Sequence, residues 1–339
     1  MGSVGPVSNL RPVTGSAAEI HALLTEWNQA SNPPPLYVET SGSTGIPKRV
    51  ALSREAMRAA VAATHDRLGG PGQWVLNLPP TNVAGLMVLF RSVVSGIPPA
   101  DRIGAAGGRA YLSLVPTQLH RMLEDSAAVR ALGGFATVLI GGAAFPAELR
   151  ERARAAGIPV VATYGMSETC GGCVYDAEPL SGVEVRIESG EILLRGPMLF
   201  DGYVGETERT DQVLVDGWFH TGDLGDFEAG RLRVSGRLDD LINTGGVKVP
   251  ATAVAARLRE HPEIVDAVVV GVPDPEWGQR VVAGVVGPVT LAQVRDWVSE
   301  QHPRAWAPHQ LVVLEELPLL PNGKVDRVGL QERARREWP

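Results

Sequence analysis

Cysteine is almost missing from this sequence: 339 residues contain only two, Cys170 and Cys173. Their C-x-x-C spacing has no second pair, and no nearby histidine completes a mixed set, which excludes a zinc site built on them. A thiol redox pair is one reading of that spacing. Small residues packed around Gly171 and Gly172 are the plainer one, favoured by the reduced state of cytosolic thiols. Long apolar runs are missing too. No stretch reaches eighteen apolar residues, and the opening Met1-Gly-Ser-Val-Gly-Pro is not a basic start followed by an apolar block. Neither a membrane span nor a secretory signal is therefore expected, and the cytoplasm is the expected compartment. Positive charge is in deficit, with 31 Lys and Arg against 38 Asp and Glu and a formal net charge of −7. That excludes the basic surface on which non-specific nucleic-acid binding depends. Lysine is scarce beside Ala, Val, Arg, Gly and Pro, a balance that suits a GC-rich genome. What is present is 44% apolar and 20% charged residues, the make-up of a soluble globular protein long enough for two or three domains.

The most informative stretch is Tyr37-Val-Glu-Thr-Ser-Gly-Ser-Thr-Gly-Ile-Pro-Lys-Arg49. After an apolar strand-like run, it gathers hydroxyls, two glycines and a lysine between Thr40 and Lys48. Glycines let backbone N–H groups close on an anion, hydroxyls add donors, and lysine adds a point charge. This is a loop suited to polyphosphate. It is not a Walker A loop, because Pro47 precedes Lys48 and Arg49 follows it. A Ser/Gly surface linker is the plain reading of such a stretch, and the ordered Thr-Ser-Gly-Ser-Thr-Gly-x-Pro-Lys string argues against it.

Through the first two hundred residues helical and strand-like segments alternate. Ser53 caps an expected helix to about Leu68, stopped by Gly69-Gly70. Trp74–Leu78, Tyr111–Val115, Ala136–Ile140 and Val160–Tyr164 read as strands, and Val83–Val94, Thr117–Glu124 and Pro146–Ala156 as helices. That alternation predicts a parallel α/β sheet with ligands at the carboxyl ends of its strands. After about Gly182 short alternating runs (Val183–Ile187, Glu191–Arg195, Leu232–Ser235) predict an antiparallel β unit. From Leu241 a smaller mixed segment follows, with helices Thr252–Glu260 and Leu291–His302 and strands near Val268–Val272 and Val281–Val286. Its own apolar core places a domain boundary near Arg237–Asp240.

A second polar cluster, Tyr164-Gly-Met-Ser-Glu-Thr169, stands just beyond a predicted strand. Gly165 frees the turn, and a carboxylate such as Glu168 beside a phosphate loop is a usual way to hold Mg²⁺. The cluster is not a nucleophile elbow, since its closing glycine is missing. Gly217-Trp-Phe-His-Thr-Gly-Asp-Leu224 places Asp223 in a predicted turn, where a buried carboxylate suits two ribose hydroxyls. Ser235-Gly-Arg-Leu-Asp-Asp-Leu-Ile-Asn-Thr-Gly-Gly-Val-Lys248 sets a charged turn and a double glycine at the boundary. Pro318-Leu-Leu-Pro-Asn-Gly-Lys-Val-Asp-Arg327 presents Lys324 on an Asn-Gly turn. Taken singly, Asp223 reads equally as a turn cap and Lys324 as a loop lysine.

In this order the five strings resemble the adenylate-forming superfamily of acyl-CoA synthetases, peptide-synthetase adenylation domains and luciferases, over about Tyr37 to Arg327. The resemblance implies an α/β fold: a large N-terminal α/β domain (1–237) with a parallel sheet and a β unit, a hinge at 238–240, and a small mobile α+β domain (241–339). It implies two steps: a carboxylate attacks the α-phosphate of ATP, giving an acyl-adenylate and pyrophosphate, and a thiol then displaces AMP. Carried over by motif, Ser41, Gly42, Ser43, Thr44, Gly45 and Lys48 resemble the loop on the β/γ-phosphates. Ser167 corresponds to an α-phosphate contact and Glu168 to the Mg²⁺ ligand. Gly141, Gly142 and Tyr164 correspond to adenine contacts, and Asp223 and Arg237 to the ribose pair. Asp239 matches the hinge, and Lys324 the lysine that bridges substrate carboxylate and phosphate. Gly245 and Gly246 resemble the loop of the second step, which lines a pantetheine tunnel. Trp277, in Pro273-Asp-Pro-Glu-Trp-Gly278, matches the segment that meets the CoA nucleotide.

Only about forty residues precede the phosphate loop, so much of the family's usual N-terminal subdomain is expected to be missing. Such trimmed forms resemble actinobacterial o-succinylbenzoate–CoA ligases of menaquinone biosynthesis. Ser167-Glu-Thr-Cys-Gly-Gly-Cys-Val-Tyr-Asp176 and Leu78-Pro-Pro-Thr-Asn-Val-Ala-Gly-Leu86 are similar to that branch in particular, which puts Asn82, Gly165 and Cys170 at the acyl pocket. Two positions depart from the pattern. A histidine usually stands where Thr81 or Asn82 does, and Asn82 donates hydrogen bonds but carries no charge. Arg49 stands where glycine is commoner. The expected partners are a small carboxylic acid, ATP with Mg²⁺, and coenzyme A, with no nucleic acid and no membrane; a homodimer is compatible with the sequence. Two other readings stay open: an adenylating ligase for a different aryl or acyl acid, passing it to CoA, a carrier thiol or an amine, and a nucleotide-binding module without chemistry.

Overall fold

The computed structural model describes residues 10–40, 48–104, 108–319 and 325–338. The chain forms two compact units, one of Met1–Arg186, Leu193–Thr221 and Phe227–Leu232, the other of Ile187–Ile192, Gly222–Asp226 and Arg233–Pro339.

The first unit is built on a six-stranded sheet in the order Gln73–Val75, Ala110–Leu114, Thr137–Ile140, Val160–Met166, Gly171–Tyr175 and Glu178–Pro179. The first four strands are parallel, with Leu112 opposite Val138 and Leu139 opposite Val161, and the last two turn back antiparallel. Near-continuous apolar runs such as Thr-Val-Leu-Ile suit strands covered on both faces. Alternate residues of the same strands feed two separate cores. Leu112, Leu114, Val138 and Ile140 pack with Leu119, Leu132 and Ile158 on one side, and Trp74, Tyr111, Leu139 and Tyr175 with Val88 on the other. Each such side chain contributes roughly 1.5–3 kcal/mol by leaving water.

Local signals hold where they are strong. Ser53 caps the Arg54–Leu68 helix by accepting the Ala56 N–H at 3.3 Å, and left-handed Gly69 ends it. The Val83–Ser95 helix is apolar almost throughout and buries residues from Gly85 to Ser92. The expected strand Trp74–Leu78 is shorter than its apolar run suggested. Its pairing stops at Val75, and the chain turns through Pro79-Pro80, which have no N–H to continue a ladder.

A smaller sheet joins Arg11–Pro12, Leu36–Thr40, Lys48–Leu52 and Gly202–Tyr203 in that order. Its hairpin runs from Leu36 opposite Leu52 to Thr40 opposite Lys48, so both ends of the expected phosphate loop are fixed side by side. The loop residues Ser41, Gly42, Ser43, Thr44 and Gly45 lie outside the described residues.

The runs after Gly182 form the strands Glu184–Glu188, Glu191–Arg195, Trp218–Glu228 and Arg231–Arg237. In the second unit, strands Val247–Pro250, Leu241–Thr244, Gly278–Val286 and Asp266–Asp274 lie in that order, with Gln310–Leu314 parallel to Gly278–Val286. The Ala251–Arg259 and Leu291–Ser299 helices contribute Val254, Leu258, Val294 and Val298 to a core with Val281, Ala283 and Val285. Val268, Val270 and Val282 face the other way, toward Leu330 and Ala334 of the Arg327–Arg336 helix.

Candidate active site

The end of the Val160–Met166 strand decides where the chemistry-bearing side chains stand. A Cβ on Gly165 would fall 2.1 Å from the Gly171 carbonyl oxygen, so only glycine lets the two neighbouring strands close here. The chain then makes one tight turn, Ser167–Thr169. Thr169 locks it: the Met166 N–H donates to Thr169 Oγ1 at 2.9 Å, and that hydroxyl lies 2.6 Å from the Gly171 carbonyl. Glu168 is left 8% exposed at the carboxyl end of a parallel strand. Its Oε1 accepts a 2.8 Å hydrogen bond from the Tyr203 hydroxyl, and its main-chain carbonyl accepts the Phe200 N–H at 2.9 Å. Burial and the adjoining carboxylate push the Tyr203 phenol up, which keeps it protonated as a donor. Lys48 Nζ lies 5.5 Å from the centre of the same ring.

Two of the expected residues, Lys48 and Glu168, are thus brought together through a third that the sequence reading missed. Tyr203 sits on a two-residue strand, opposite Val50 and beside Gly202, too short to carry a periodic signal.

On the adjacent parallel strand, Gly141 and Gly142 follow Thr137–Ile140. A Cβ on Gly141 would lie 2.3 Å from Thr163 Oγ1, the hydroxyl that donates to the Ile140 carbonyl at 3.2 Å. Gly141, Gly142, Tyr164, Gly165, Ser167 and Glu168 therefore share the carboxyl edge of two neighbouring strands, where such sheets take ligands. Asn82 is exposed at the N-cap of Val83–Ser95, and its side chain forms no capping hydrogen bond.

Cys170 and Cys173 are free and fully buried. Burial pushes the Cys170 thiol far up, with the Asp201 charge adding to the effect, and pushes Cys173 up to about 12. Both are neutral thiols at physiological pH, which argues against a redox pair, since exchange needs thiolate and access. Cys173 lines a small cavity with Ala60, Gly172 and Met198.

A second residue escaped the sequence reading. Arg91 is the one charged side chain of the Val83–Ser95 helix and is only 4% exposed. Its guanidinium lies 4.6 Å from the Trp74 ring centre and 3.5 Å from Thr64 Oγ1, which in turn is 3.3 Å from the Tyr175 hydroxyl. No carboxylate pairs with it among the described residues, and Arg91 Nε, Trp74 Nε1 and His65 Nε2 are buried without hydrogen-bond partners. Burial lowers the pKa of Arg91, and burial together with Arg91 lowers that of His65. An uncompensated buried cation costs several kcal/mol, a penalty that an incoming anion removes. A single charge inside an otherwise apolar helix was the only signal available, and it does not tell a buried arginine from an exposed one.

In the second unit, Asp223 lies within the strand Trp218–Glu228 rather than in the expected turn. Alternation decides this, because Phe219, Thr221 and Asp223 all point to the buried side. Asp223 is 7% exposed and accepts a 2.8 Å hydrogen bond from Arg237 Nη1, while Arg237 Nε donates to Asp239 Oδ1 at 2.8 Å. Burial works against the Arg237 charge, but the Asp239 hydrogen bond and the fields of Asp223, Asp239 and Asp240 outweigh it and raise its pKa. The expected ribose pair and hinge residue therefore form one ionic chain. The Gly245 N–H donates to the Trp277 carbonyl at 2.9 Å, and a Cβ on Gly246 would meet no atom within 4 Å. Trp277 is 42% exposed. Lys324 lies outside the described residues.

Comparison with known proteins gives this geometry a family. Residues 36–204 match the AMP-binding enzyme family, and residues 253–324 match the AMP-binding enzyme C-terminal domain. The "Probable 2-succinylbenzoate–CoA ligase" of Mycobacterium tuberculosis is 44% identical over 322 residues, spanning 88% of this chain and 84% of the relative. The chain belongs to the AMP-binding enzymes. Among solved structures, the o-succinylbenzoate CoA synthetase (MenE) of Bacillus subtilis in complex with the acyl-adenylate intermediate OSB-AMP superposes with a TM-score of 0.77 at 28% identity, covering 87% of this chain and 68% of that one. The same Bacillus enzyme in complex with ATP and magnesium ion gives a TM-score of 0.75 at 27% identity, over 88% and 69% of the two chains. As an AMP-binding enzyme the chain has a donor set that fits magnesium. Mg²⁺ prefers one or two carboxylates plus substrate phosphates over an all-protein cage. Glu168 offers one anchored carboxylate, and no group of three metal-ligating side chains occurs among the described residues. No helix among those residues is long and apolar enough to cross a membrane.

The thiols provide a test of this packing. Under native conditions Cys170 and Cys173 should react with a chromogenic disulfide reagent orders of magnitude more slowly than after denaturation, and the double Cys→Ala variant should keep near-normal activity with or without reductant. Rapid native labelling, or oxidative inactivation that dithiothreitol reverses, would restore the redox reading.

Proposed function

We propose that this AMP-binding enzyme is an acid–CoA ligase: it adenylates o-succinylbenzoate at the expense of ATP and passes the acyl group to coenzyme A, a step of menaquinone biosynthesis. The observation that carries the reading is 44% identity across 84% of a mycobacterial protein of that name. The chemistry-bearing residues at the strand ends agree with it. The cytoplasm, which holds ATP and CoA, is the compartment this reading implies.

In the first step a substrate carboxylate oxygen attacks the α-phosphorus and pyrophosphate leaves. Such a reaction needs positioning and charge neutralisation more than covalent help. Ser41, Gly42, Ser43, Thr44, Gly45 and Lys48 hold the β/γ-phosphates, Ser167 touches the α-phosphate, and Gly141, Gly142 and Tyr164 flank the adenine. Asp223 and Arg237 bind the ribose, and Glu168 holds Mg²⁺, which neutralises polyphosphate charge when bound. Lys324 bridges carboxylate and α-phosphate. In the second step the CoA thiol attacks the acyl carbon and AMP leaves, with Gly245 and Gly246 lining the thiol's approach and Trp277 meeting the nucleotide of CoA. Asp239 is the hinge between domains 1–237 and 241–339. Asn82, Gly165 and Cys170 border the acyl pocket. Buried Arg91 suits the second carboxylate of the acid, the one that adenylation leaves ionised.

A pyrophosphate-release assay over a panel of acids, with and without CoA, tests the acid. O-succinylbenzoate should give the highest kcat/KM, with one CoA thiol consumed per pyrophosphate released. Because Thr81 or Asn82 stands where the family usually carries histidine, the panel includes simple benzoates and fatty acids. Faster turnover of either would remove this acid while leaving an acid–CoA ligase.

The two steps should also separate by variant. Lys324→Ala should abolish adenylate formation yet still convert preformed acyl-adenylate and CoA to product. Gly246→Leu should accumulate adenylate and fail in thioester formation. Equal loss of both half-reactions in both folded variants would refute this division of labour.

A further inference from the structure

Tyr203 joins the two parts of the first unit that the proposed chemistry assigns to polyphosphate. Its hydroxyl donates to Glu168 Oε1 at 2.8 Å, and its ring lies 5.5 Å from Lys48 Nζ and 5.2 Å from the Arg209 guanidinium. A buried phenol needs some acceptor, so the hydrogen bond alone is ordinary. What distinguishes it is how firmly the donor is held from elsewhere. The Tyr203 N–H donates to Thr210 Oγ1 at 2.8 Å, and Tyr203 pairs with Val50 on the strand that leaves the phosphate loop. Phe200 meets its ring edge to face with centres 5.0 Å apart, and the Phe200 N–H holds the Glu168 carbonyl. Backbone pairing and ring packing place the hydroxyl, and the carboxylate of Glu168 takes its orientation from that fixed donor.

We infer that Tyr203 is a positioning residue for Mg²⁺ binding: its hydroxyl fixes the plane of the Glu168 carboxylate before metal and nucleotide arrive, in register with Lys48. The inference rests on the reading of Glu168 as the magnesium-holding carboxylate. Without the hydroxyl, the terminal torsion of a glutamate is broad and soft, and the carboxylate samples orientations that no longer face the phosphates. Partners that orient a metal-binding carboxylate are worth about 10–100-fold in metal affinity. The ring, by contrast, keeps its packing and its two cations when only the hydroxyl is removed.

Tyr203→Phe isolates that one bond. Mn²⁺ binding to the enzyme with α,β-methylene-ATP, read as loss of the free-ion EPR signal, should weaken about tenfold. Binding of the same nucleotide in EDTA should stay within about twofold of wild type, and circular dichroism should show an intact fold. In a Glu168→Gln background, where the oriented carboxylate is already gone, Tyr203→Phe should cause no further loss of Mn²⁺ affinity. Wild-type Mn²⁺ affinity in Tyr203→Phe, an equal loss in metal-free nucleotide binding, or the same loss in the Glu168→Gln background would each overturn the inference. Should Glu168→Gln itself bind Mn²⁺ as tightly as wild type, the reading of Glu168 fails and this inference with it. A weakened Glu168→Gln beside an unaltered Tyr203→Phe would sink the role of Tyr203 alone.

Discussion

Two parallel strands ending side by side at one edge form the constraint on which the candidate site depends. Parallel pairing of Thr137–Ile140 with Val160–Met166 sends both chains out of the same edge, and the turns that follow must share a narrow space. Side chains there would collide, as the short distances from Gly141 to Thr163 and from Gly165 to Gly171 show. Glycine at those two points brings the backbone close enough for Thr169 to lock the turn and for Glu168 to stand at the edge. A change that pushed these strands apart would move Glu168, Ser167 and Tyr164 together.

Charge follows the same geometry. The chain as a whole is acidic, with a formal charge of −7, yet Arg91 is buried in the first unit, and no carboxylate pairs with it among the described residues. Its guanidinium rests on the Trp74 ring and near Thr64 Oγ1, neutral partners that leave its charge uncompensated among the described residues. Lys48 pairs with Thr40 at the base of the proposed phosphate loop. The arrangement suits a ligand that brings negative charge of its own, as the dicarboxylic acid and ATP of the proposed reaction would.

Much of this was legible in the sequence. The Ser53 cap, the Gly69 stop and the apolar strand runs follow local rules, so those elements formed close to where they were expected. The Gly165 turn and Glu168 were readable because a motif with a backbone reason lies within a few consecutive residues. Tyr203 was not readable, because its role depends on a two-residue strand meeting residues 35 positions earlier through a hydrogen bond. Arg91 was not readable, because a single charge in an apolar helix carries no local mark of whether it is buried or faces water. Asp223 was misplaced in a turn because its flanking glycines outweighed the period-two burial of Phe219, Thr221 and Asp223.

The central claim is that this enzyme activates a dianionic acid whose second carboxylate meets the buried arginine. It is tested most directly by comparing kcat/KM for o-succinylbenzoate and for 4-oxo-4-phenylbutyrate, which lacks the ring carboxylate, in the wild type and in Arg91→Met. Breaking one side of a buried charge pair costs about 3 kcal/mol, roughly a hundredfold. The account predicts that the wild type prefers the diacid by about that factor and that Arg91→Met loses most of the preference. An undiminished preference in a folded Arg91→Met enzyme would contradict it.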